Sequence, residues 1–318
     1  MTPIDWPRDE TFCFAVLPDT QIMTEFDPSA YLGETRWLAD NAADLDLRLV
    51  LHVGDVVNKG RRDPAQYLVA ARAHRGILEA GIPLLVVPGN HDYDDELDET
   101  RGLSLFNAHV GFAALAGQPE IAGTFADGAL ENSYALLDAP SGGVIALALE
   151  FGPRPEVVAW AQDLLVRHAD RTAFVVTHSY LDPDARRTHM QSSYHPRAYP
   201  GSTDALDGEQ LWEQTLRRIP NLVGIFSGHQ VPTPVSWRVD ANDVGSGVLQ
   251  SYQNWQMAPL ESMARIRLVW WRPSTRQLRM RVVDTKTGRY VDEPGFDVEL
   301  VLDDSSHGLS FAPPPDPT

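Results

Sequence analysis

Apolar residues in the first half of the chain fall into short continuous runs. Between these runs lie segments whose apolar positions return every three to four residues. The runs at 12–17, 47–53 and 82–87 read as buried strands. The intervening segments read as amphipathic helices. One opens on the Asp27-Pro28 pair, an N-cap followed by a residue with preset φ, and continues past Trp37 and Leu38 to about Ala43. A second spans about 64–80 and is stopped by Gly81, and a third lies near 97–110. Strand and helix in alternation mark βαβ units on a parallel sheet.

The pattern then changes. Residues 120–149 are β-rich and end in the apolar run 144–149; Pro155 starts a helix through Trp160 and Leu165, and 173–177 is another strand. A helix over 208–218 leads into the strand 222–227, and 235–239, 247–252, 264–271 and 278–283 read as successive antiparallel strands. No internal repeat or linker divides the chain. Residues 1–302 are therefore expected to form a single domain, and the tail 303–318, with Pro313-Pro314-Pro315, to be disordered.

Composition narrows the function. With 318 residues, 43% of them hydrophobic, the chain can bury a substantial core and is not a disordered protein. The formal net charge of -18 argues against duplex nucleic acid as a partner, since such binding needs a cationic face. A small phosphorylated substrate stays open, because bound cations can reverse the field inside a site. Cys13 is the sole cysteine, so no intrachain disulfide forms, and its apolar neighbours make it a buried thiol. No stretch reaches the length of a transmembrane span, and residues 1–8 lack the apolar segment of a secretory leader. The sequence reads as cytoplasmic, as would a secreted protein whose leader had been removed. Oligomeric state is not encoded.

Polar clusters follow the strands. Pro18-Asp19-Thr20-Gln21 follows the first, Gly54-Asp55-Val56-Val57-Asn58 the second and Pro88-Gly89-Asn90-His91-Asp92 the third. Thr177-His178-Ser179-Tyr180 and Ser227-Gly228-His229-Gln230 end two later strands. Parallel strands would set the first three side by side, at the sheet edge where α/β proteins bind ligands. Carboxylate and amide oxygens with imidazole nitrogens suit Mn, Fe, Zn or Mg better than thiolate-seeking ions. A central carboxylate can bridge two such ions, and two ions roughly 3.5–4 Å apart can align a shared hydroxide for in-line attack. The glycines before Asp55, Asn90 and His229 are expected to allow the sharp turn from strand to loop.

In this order the blocks resemble the calcineurin-like metallophosphoesterase superfamily, whose pattern runs D-x-H, G-D-x-x-D, G-N-H-[DE], a histidine and G-H-x-H. The blocks extend from Asp19 to His229, and 17–21 with 149–153 look like a bacterial subgroup whose first block is DTQ. The resemblance implies a four-layer αββα sandwich of two mixed β-sheets flanked by helices. It implies hydrolysis of a phosphomonoester or phosphodiester by a hydroxide bridging two divalent metals. Asp19, Gln21 and the bridging Asp55 would hold the first ion, and Asp55, Asn90, His178 and His229 the second. His91 would act as general acid or transition-state stabiliser.

Three positions depart from the superfamily pattern. Gln21 stands for the histidine of D-x-H, Val231 for the last histidine of G-H-x-H, and Asn58 for the second aspartate of G-D-x-x-D. The first ion's site is left oxygen-rich, which favours Mn or Fe. Losing the carboxylate at 58 should lower the pKa of His91 unless Asp92 or another group substitutes. These departures keep in view a catalytically weak metal- or phosphate-binding protein on the same fold; a metal-dependent nuclease is a further alternative, which the charge balance disfavours.

Other residues are weighed against plainer roles. His52, inside the second strand, reads as a packed core histidine. The loop 182–201 carries Arg186, Arg187, His189, Tyr194, His195, Arg197 and Tyr199 directly after His178. Arg186, Arg187, His195 and Arg197 are its candidate substrate-binding residues, since guanidinium groups take non-bridging phosphate oxygens. The segment Tyr252-Gln253-Asn254-Trp255 is a candidate for the opposite wall, against which Tyr252 and Trp255 read as core.

Overall fold

The structure, a computed structural model, describes residues 4–95, 100–111 and 117–303. Its first strand, β1 (Phe12–Leu17), is buried along its whole length because its two faces enter two different cores. Phe12, Phe14 and Val16 point one way; Cys13, Ala15 and Leu17 point the other. This period-two split, with both faces covered, explains why the strand reads as an unbroken apolar run.

One mixed sheet runs β13 (Arg289–Tyr290), β12 (Gln277–Asp284), β11 (Arg265–Arg272), β1, β2 (Leu47–His52), β3 (Leu84–Val86), with β14 (Asp297–Val301) also on β12. β1, β2 and β3 are parallel, and β11 and β12 are antiparallel additions. The other sheet runs β4 (Ile121–Ala126), β5 (Ala129–Ala139), β6 (Gly142–Leu149), β7 (Thr172–Thr177), β8 (Leu222–Ser227), β10 (Gly247–Gln253), β9 (Val235–Ala241). Here β6, β7, β8 and β10 are parallel.

Three apolar clusters give the layers. Phe14, Phe174 and Phe226 meet between the sheets, Phe14 lying 4.8 Å from Phe174 and 5.3 Å from Phe226 between ring centroids. The outer face of the first sheet packs on α2 (Pro28–Leu45) and α3 (Ala65–Glu79), and that of the second on α5 (Pro155–Arg167) and α6 (Gly208–Gln214). Helix, sheet, sheet and helix are the expected αββα sandwich. Among the described residues, no helix is long and apolar enough to cross a membrane.

Several elements differ from expectation. The polar block after β1 runs straight into a short helix, α1 (Gln21–Phe26), which ends at Asp27 because a residue before proline disfavours the helical region. The helix expected near 97–110 is α4 (Ser104–His109), and residues 96–99 lie outside the described set. The helix over 208–218 breaks at Thr215 (φ −140°, ψ −63°), leaving a 3-10 turn at Leu216–Arg218. The four late strands do not form one antiparallel run: β9 and β10 join the second sheet, β11 and β12 the first. The crossing between sheets at 254–264 passes the parallel-strand ends. β13 and β14, short and half exposed, carry too weak an apolar pattern to be seen in sequence. All but the first residue of the expected disordered tail fall outside the described residues.

Candidate metal centre

The C-terminal ends of β1, β2 and β3 from one sheet, and of β7 and β8 from the other, open on the same side. Backbone hydrogen bonds lock their loops together: Thr20 N–H donates to the Asp55 carbonyl (3.0 Å) and Gly228 N–H to the His178 carbonyl (2.9 Å). Asp92 clamps the β2 and β3 loops, accepting from Val56 N–H (3.1 Å), Val57 N–H (3.0 Å) and Gly89 N–H (2.8 Å).

The glycines of these loops serve two different needs. Gly54 sits at φ +101°, a conformation that L side chains rarely adopt. Gly89 (φ −94°) needs no such freedom and is required for space, since a Cβ there would overlap the Asp55 carboxylate. Gly228 likewise makes room for the Asp19 carboxylate. The positive φ values after the turns fall on Asp55 (φ 51°) and His229 (φ 73°), each held against a conformation worth about 1–2 kcal/mol of strain.

Asp55 stands at the middle of the buried cluster. Its Oδ1 lies 3.2 Å from His178 Nε2 and accepts the His91 backbone N–H at 3.1 Å, and its Oδ2 accepts from the Gln21 amide at 2.8 Å. His178 Nε2 is 3.2 Å from His229 Nδ1. Among the described residues, Asp55, His178 and His229 form the group of acidic, cysteine and histidine side chains whose ligand atoms all lie within 4.8 Å of one another. Asp19 adjoins it, accepting the His229 backbone N–H at 2.9 Å and the Asn254 amide at 2.9 Å. Asn90 lines, with Asp55, His91 and His229, a cavity over the cluster.

Whether this set fits a divalent cation can be read from its hydrogen bonds. His178 Nδ1 lies 2.7 Å from the Val53 carbonyl and His229 Nε2 lies 2.8 Å from the Tyr194 carbonyl. A carbonyl only accepts, so each outer nitrogen carries a proton and each inner nitrogen faces the centre, where its lone pair serves a cation once any second proton has left. Anchoring of this kind orients imidazole ligands in metal sites. Among the described residues, the buried Asn90 Oδ1 and Gln21 Oε1 have no hydrogen-bond partner, an arrangement a cation would satisfy. The Asn90 oxygen, the Asp55 carboxylate and the two imidazoles fit. Gln21 fits on rotation of its amide, because its nitrogen, not its oxygen, faces Asp55.

Charge follows the same logic. Burial opposes a charge on His178, but the Asp55 carboxylate beside it outweighs burial and raises its pKa. Burial would likewise raise Asp55, yet the imidazoles of His178 and His91 hold its carboxyl well below the usual range. His229 is lowered to about 3, first by burial and then by His178. Burial pushes Asp19 well up, and Asp92 to about 7 with Asp55 as the second cause.

His91 Nδ1 lies 2.9 Å from the Asn58 carbonyl, so position 58 holds the ring through its main chain. The Asn58 side-chain amide donates to Glu25 of α1, which also pairs with Lys59. Asp92 serves as the loop clamp, its three acceptor contacts all made to backbone. His52 is buried, accepting from Gly54 N–H (3.1 Å) on Nδ1, with Nε2 3.1 Å from the Thr20 hydroxyl; it braces the loops and is not among the clustered donors.

The long loop after His178 contributes differently from expectation. Arg187 is buried and committed to Gln250, Glu209 and Asp240 while stacking on Trp212 at 4.5 Å. Arg186 pairs with Asp184 at the surface. His195 bonds Asp207 (3.1 Å), and Arg197 bonds the Ala205 carbonyl (2.7 Å) and Gln210 (3.0 Å). None of the four lines the cavity over the cluster. The loop reaches the centre through the Tyr194 carbonyl and the rings of Tyr194 and Tyr199. From the β10–β11 crossing, Asn254 holds Asp19 and Gln256 meets the Gln21 amide. Tyr252 and Trp255 are buried. No signal in the sequence marked Glu25 or Gln256, because each acts through one side-chain contact without motif company.

A family model described as calcineurin-like phosphoesterase matches residues 14–233. An uncharacterized protein of Bacillus subtilis (strain 168), YvnB, is 26% identical over 223 residues, covering 70% of this chain and 16% of that protein. The chain therefore spans about a sixth of the length of the curated relative it matches. Among solved structures, a purple acid phosphatase from yellow lupin (Lupinus luteus) seeds superposes with a TM-score of 0.54 at 13% identity, over 89% of this chain and 53% of that one. A dimetal phosphatase from Danio rerio gives 0.54 at 12% identity, over 92% and 99%. GAP50, the anchor in the inner membrane complex of Plasmodium, gives 0.52 at 10% identity, over 92% and 89%. At such identities these three establish the fold alone.

Proposed function

The chain belongs to the calcineurin-like phosphoesterase family, and from that premise we propose that it hydrolyses a phosphate ester with two divalent cations held by Asp19, Gln21, Asp55, Asn90, His178 and His229. One observation carries the reading: five strand ends from two sheets deliver these donors to one buried cluster, with both imidazoles pinned so that their inner nitrogens face its centre. When bound, the cations supply Lewis acidity to the phosphoryl oxygens and activate a water. Asp55, between the two donor groups, would be the carboxylate that serves both cations. Asp19 and Gln21 complete one side; Asn90, His178 and His229 complete the other. The oxygen-rich first side favours Mn or Fe.

His91 lines the cavity beside Asp55 and Asn90. With Nδ1–H held by the Asn58 carbonyl, its Nε2 edge is the position from which a proton passes to the leaving oxygen or from which charge on the phosphoryl group is stabilised. In the net reaction water adds OH to phosphorus, the bond from phosphorus to the alcohol oxygen breaks, and the second water proton goes to that oxygen.

The test is turnover of nitrophenyl phosphate and bis-nitrophenyl phosphate by manganese-loaded protein, with elemental analysis of bound metal. Metal-dependent hydrolysis that His91→Ala lowers with the metal retained, by more for esters of alkyl alcohols than for nitrophenyl esters where His91 acts as the acid, is the expected result. Protein that stays metal-free when offered manganese, iron and zinc would refute the reading.

A further inference from the structure

Resting on that reading, one side chain outside the donor set is placed to control the imidazole half of the proposed centre. The carbonyl anchors of His178 and His229 set the direction of each ring. They leave the tilt of the ring plane about that hydrogen bond to packing. The inner nitrogen lies off the line of the bond, so a change of tilt moves it.

Phe151, fully buried, stands against both rings. Its ring centroid lies 5.0 Å from that of His229 and 5.6 Å from that of His178, at interplanar angles of 56° and 65°. The two imidazoles are 4.8 Å apart at 62°. Each of the three rings thus packs on the other two, and none can tilt without displacing a neighbour. Tyr199 meets Phe151 edge-on at 5.2 Å and Tyr93 lies 6.5 Å away, so the phenyl ring is itself backed.

The turn that carries Phe151, between β6 and α5, is fastened from two directions. Thr177, the residue before His178, donates its hydroxyl to the Glu150 carbonyl at 3.1 Å. Arg101, from the segment between β3 and α4, donates to the Phe151 and Gly152 carbonyls, both at 2.9 Å. The buried Glu150 carboxylate takes the Asn132 amide (3.0 Å) and the Arg154 guanidinium (2.8 Å). Gly152 adopts a left-handed backbone (φ 54°), and a Cβ on it would stand 2.6 Å from Ala205 and 2.7 Å from Pro196. The segment 149–153 contributes none of the proposed ligands, yet its contacts hold one ring in one place.

We propose that Phe151 is a positioning residue for the imidazole pair, its ring fixing the tilt at which both inner nitrogens meet one cation, and that Arg101 sets Phe151 from the first sheet's side. Phe151 touches no reacting atom; it acts through His178 and His229.

Cobalt(II) uptake by metal-stripped protein tests this, because its visible absorption bands report coordination geometry as well as occupancy. Phe151→Leu keeps an apolar side chain but no flat ring. It should weaken the imidazole-held ion about tenfold, the low end for a contact that supports a ligand, and alter its bands while the other ion is unaffected. Arg101→Met removes both carbonyl bonds and should act in the same direction by less; Arg101→Lys, able to reach one carbonyl, should recover part of the loss. Phe106→Leu, in the same apolar cluster as Phe151, is the control for core loosening. It should lower Tm comparably and leave cobalt affinity and bands as in wild type. Wild-type affinity and bands in both Phe151→Leu and Arg101→Met, or an equal shift in Phe106→Leu, overturn the proposal while the metal centre stands. Wild-type protein that develops no cobalt bands overturns the metal reading and the proposal with it.

Discussion

The two halves of the proposed metal centre are built from different materials. On the side of the second sheet, His178 and His229 are buried rings whose outer nitrogens are fixed by main-chain carbonyls at 2.7 and 2.8 Å. Their inner nitrogens have one place to point. On the side of the first sheet, Asp19 and Gln21 each rest in part on a side-chain amide, Asn254 and Gln256, whose oxygen and nitrogen ends exchange by a half-turn. A carbonyl anchor specifies direction; an amide partner leaves two. The imidazole half is therefore preorganised, whereas the amide half must settle on an orientation as a cation arrives, which weakens binding by the population it has to shift.

Removing the residue that both halves share should have the largest effect. Asp55→Asn is expected to lower kcat at least a thousandfold and to reduce bound metal, because one oxygen of the central carboxylate becomes an amide donor. Wild-type turnover in that variant would remove Asp55 from the bridging position. The halves themselves should then separate. His229→Ala should lower metal affinity by well over a hundredfold, while Gln21→Ala should lower it about tenfold and affect one ion of two, as read by titration with manganese. Equal losses would mean that the amide half is as well fixed as the imidazole half. Gln21→His should tighten the weaker site and shift its preference toward zinc.

The same contrast decides what the sequence disclosed. Strand runs such as 12–17 were legible because both faces of β1 are buried, and the donors after them because each follows a strand end within a recognisable block. Residues that act from outside the blocks were not. Glu25 lies on a helix too short for its period to register, and Gln256 lies on a crossing that the sequence did not reveal because β10 and β11 look like neighbours. The guanidiniums of Arg187 and Arg197 drew attention for their chemistry, yet partners in the scaffold hold them, Asp240 for the one and the Ala205 carbonyl for the other. Composition identifies what a side chain can bind but not which partner reaches it first.

Protons offer a measure of preorganisation. In protein stripped of metal, the Asp55 carboxylate raises His178 from 6.5 to about 9 against the opposing effect of burial. That contribution to stability is fully present below about 6.5 and is lost as pH rises through about 9. A cation needs the neutral imidazole, so manganese affinity should rise about tenfold per pH unit between 6.5 and 9, with one proton released by His178. His229, lowered to about 3, releases none in this window, whereas Asp19, raised by burial, adds to the count wherever it is still protonated. Dissociation constants at pH 6.5, 7.5 and 8.5 check this; a flat profile would mean that no proton sits between His178 and Asp55.

The smallest expected effect concerns the element that joins the looser half to His91. α1 carries Gln21 at its start and, one turn on, Glu25, whose carboxylate takes the Asn58 amide and pairs with Lys59. Asn58 in turn offers its carbonyl to His91 Nδ1 at 2.9 Å. Glu25→Ala frees the Asn58 side chain and should let the His91 ring wander, lowering kcat about three- to tenfold for an alkyl leaving group that needs a proton. A nitrophenyl leaving group, stable as an anion, should lose much less, and bound metal should not change. Glu25→Gln keeps an acceptor for Asn58 and should restore most of the rate, although the charge facing Lys59 is gone. If both leaving groups suffer alike, or if the glutamine variant behaves like alanine, then Glu25 acts through charge and not through the seat of His91.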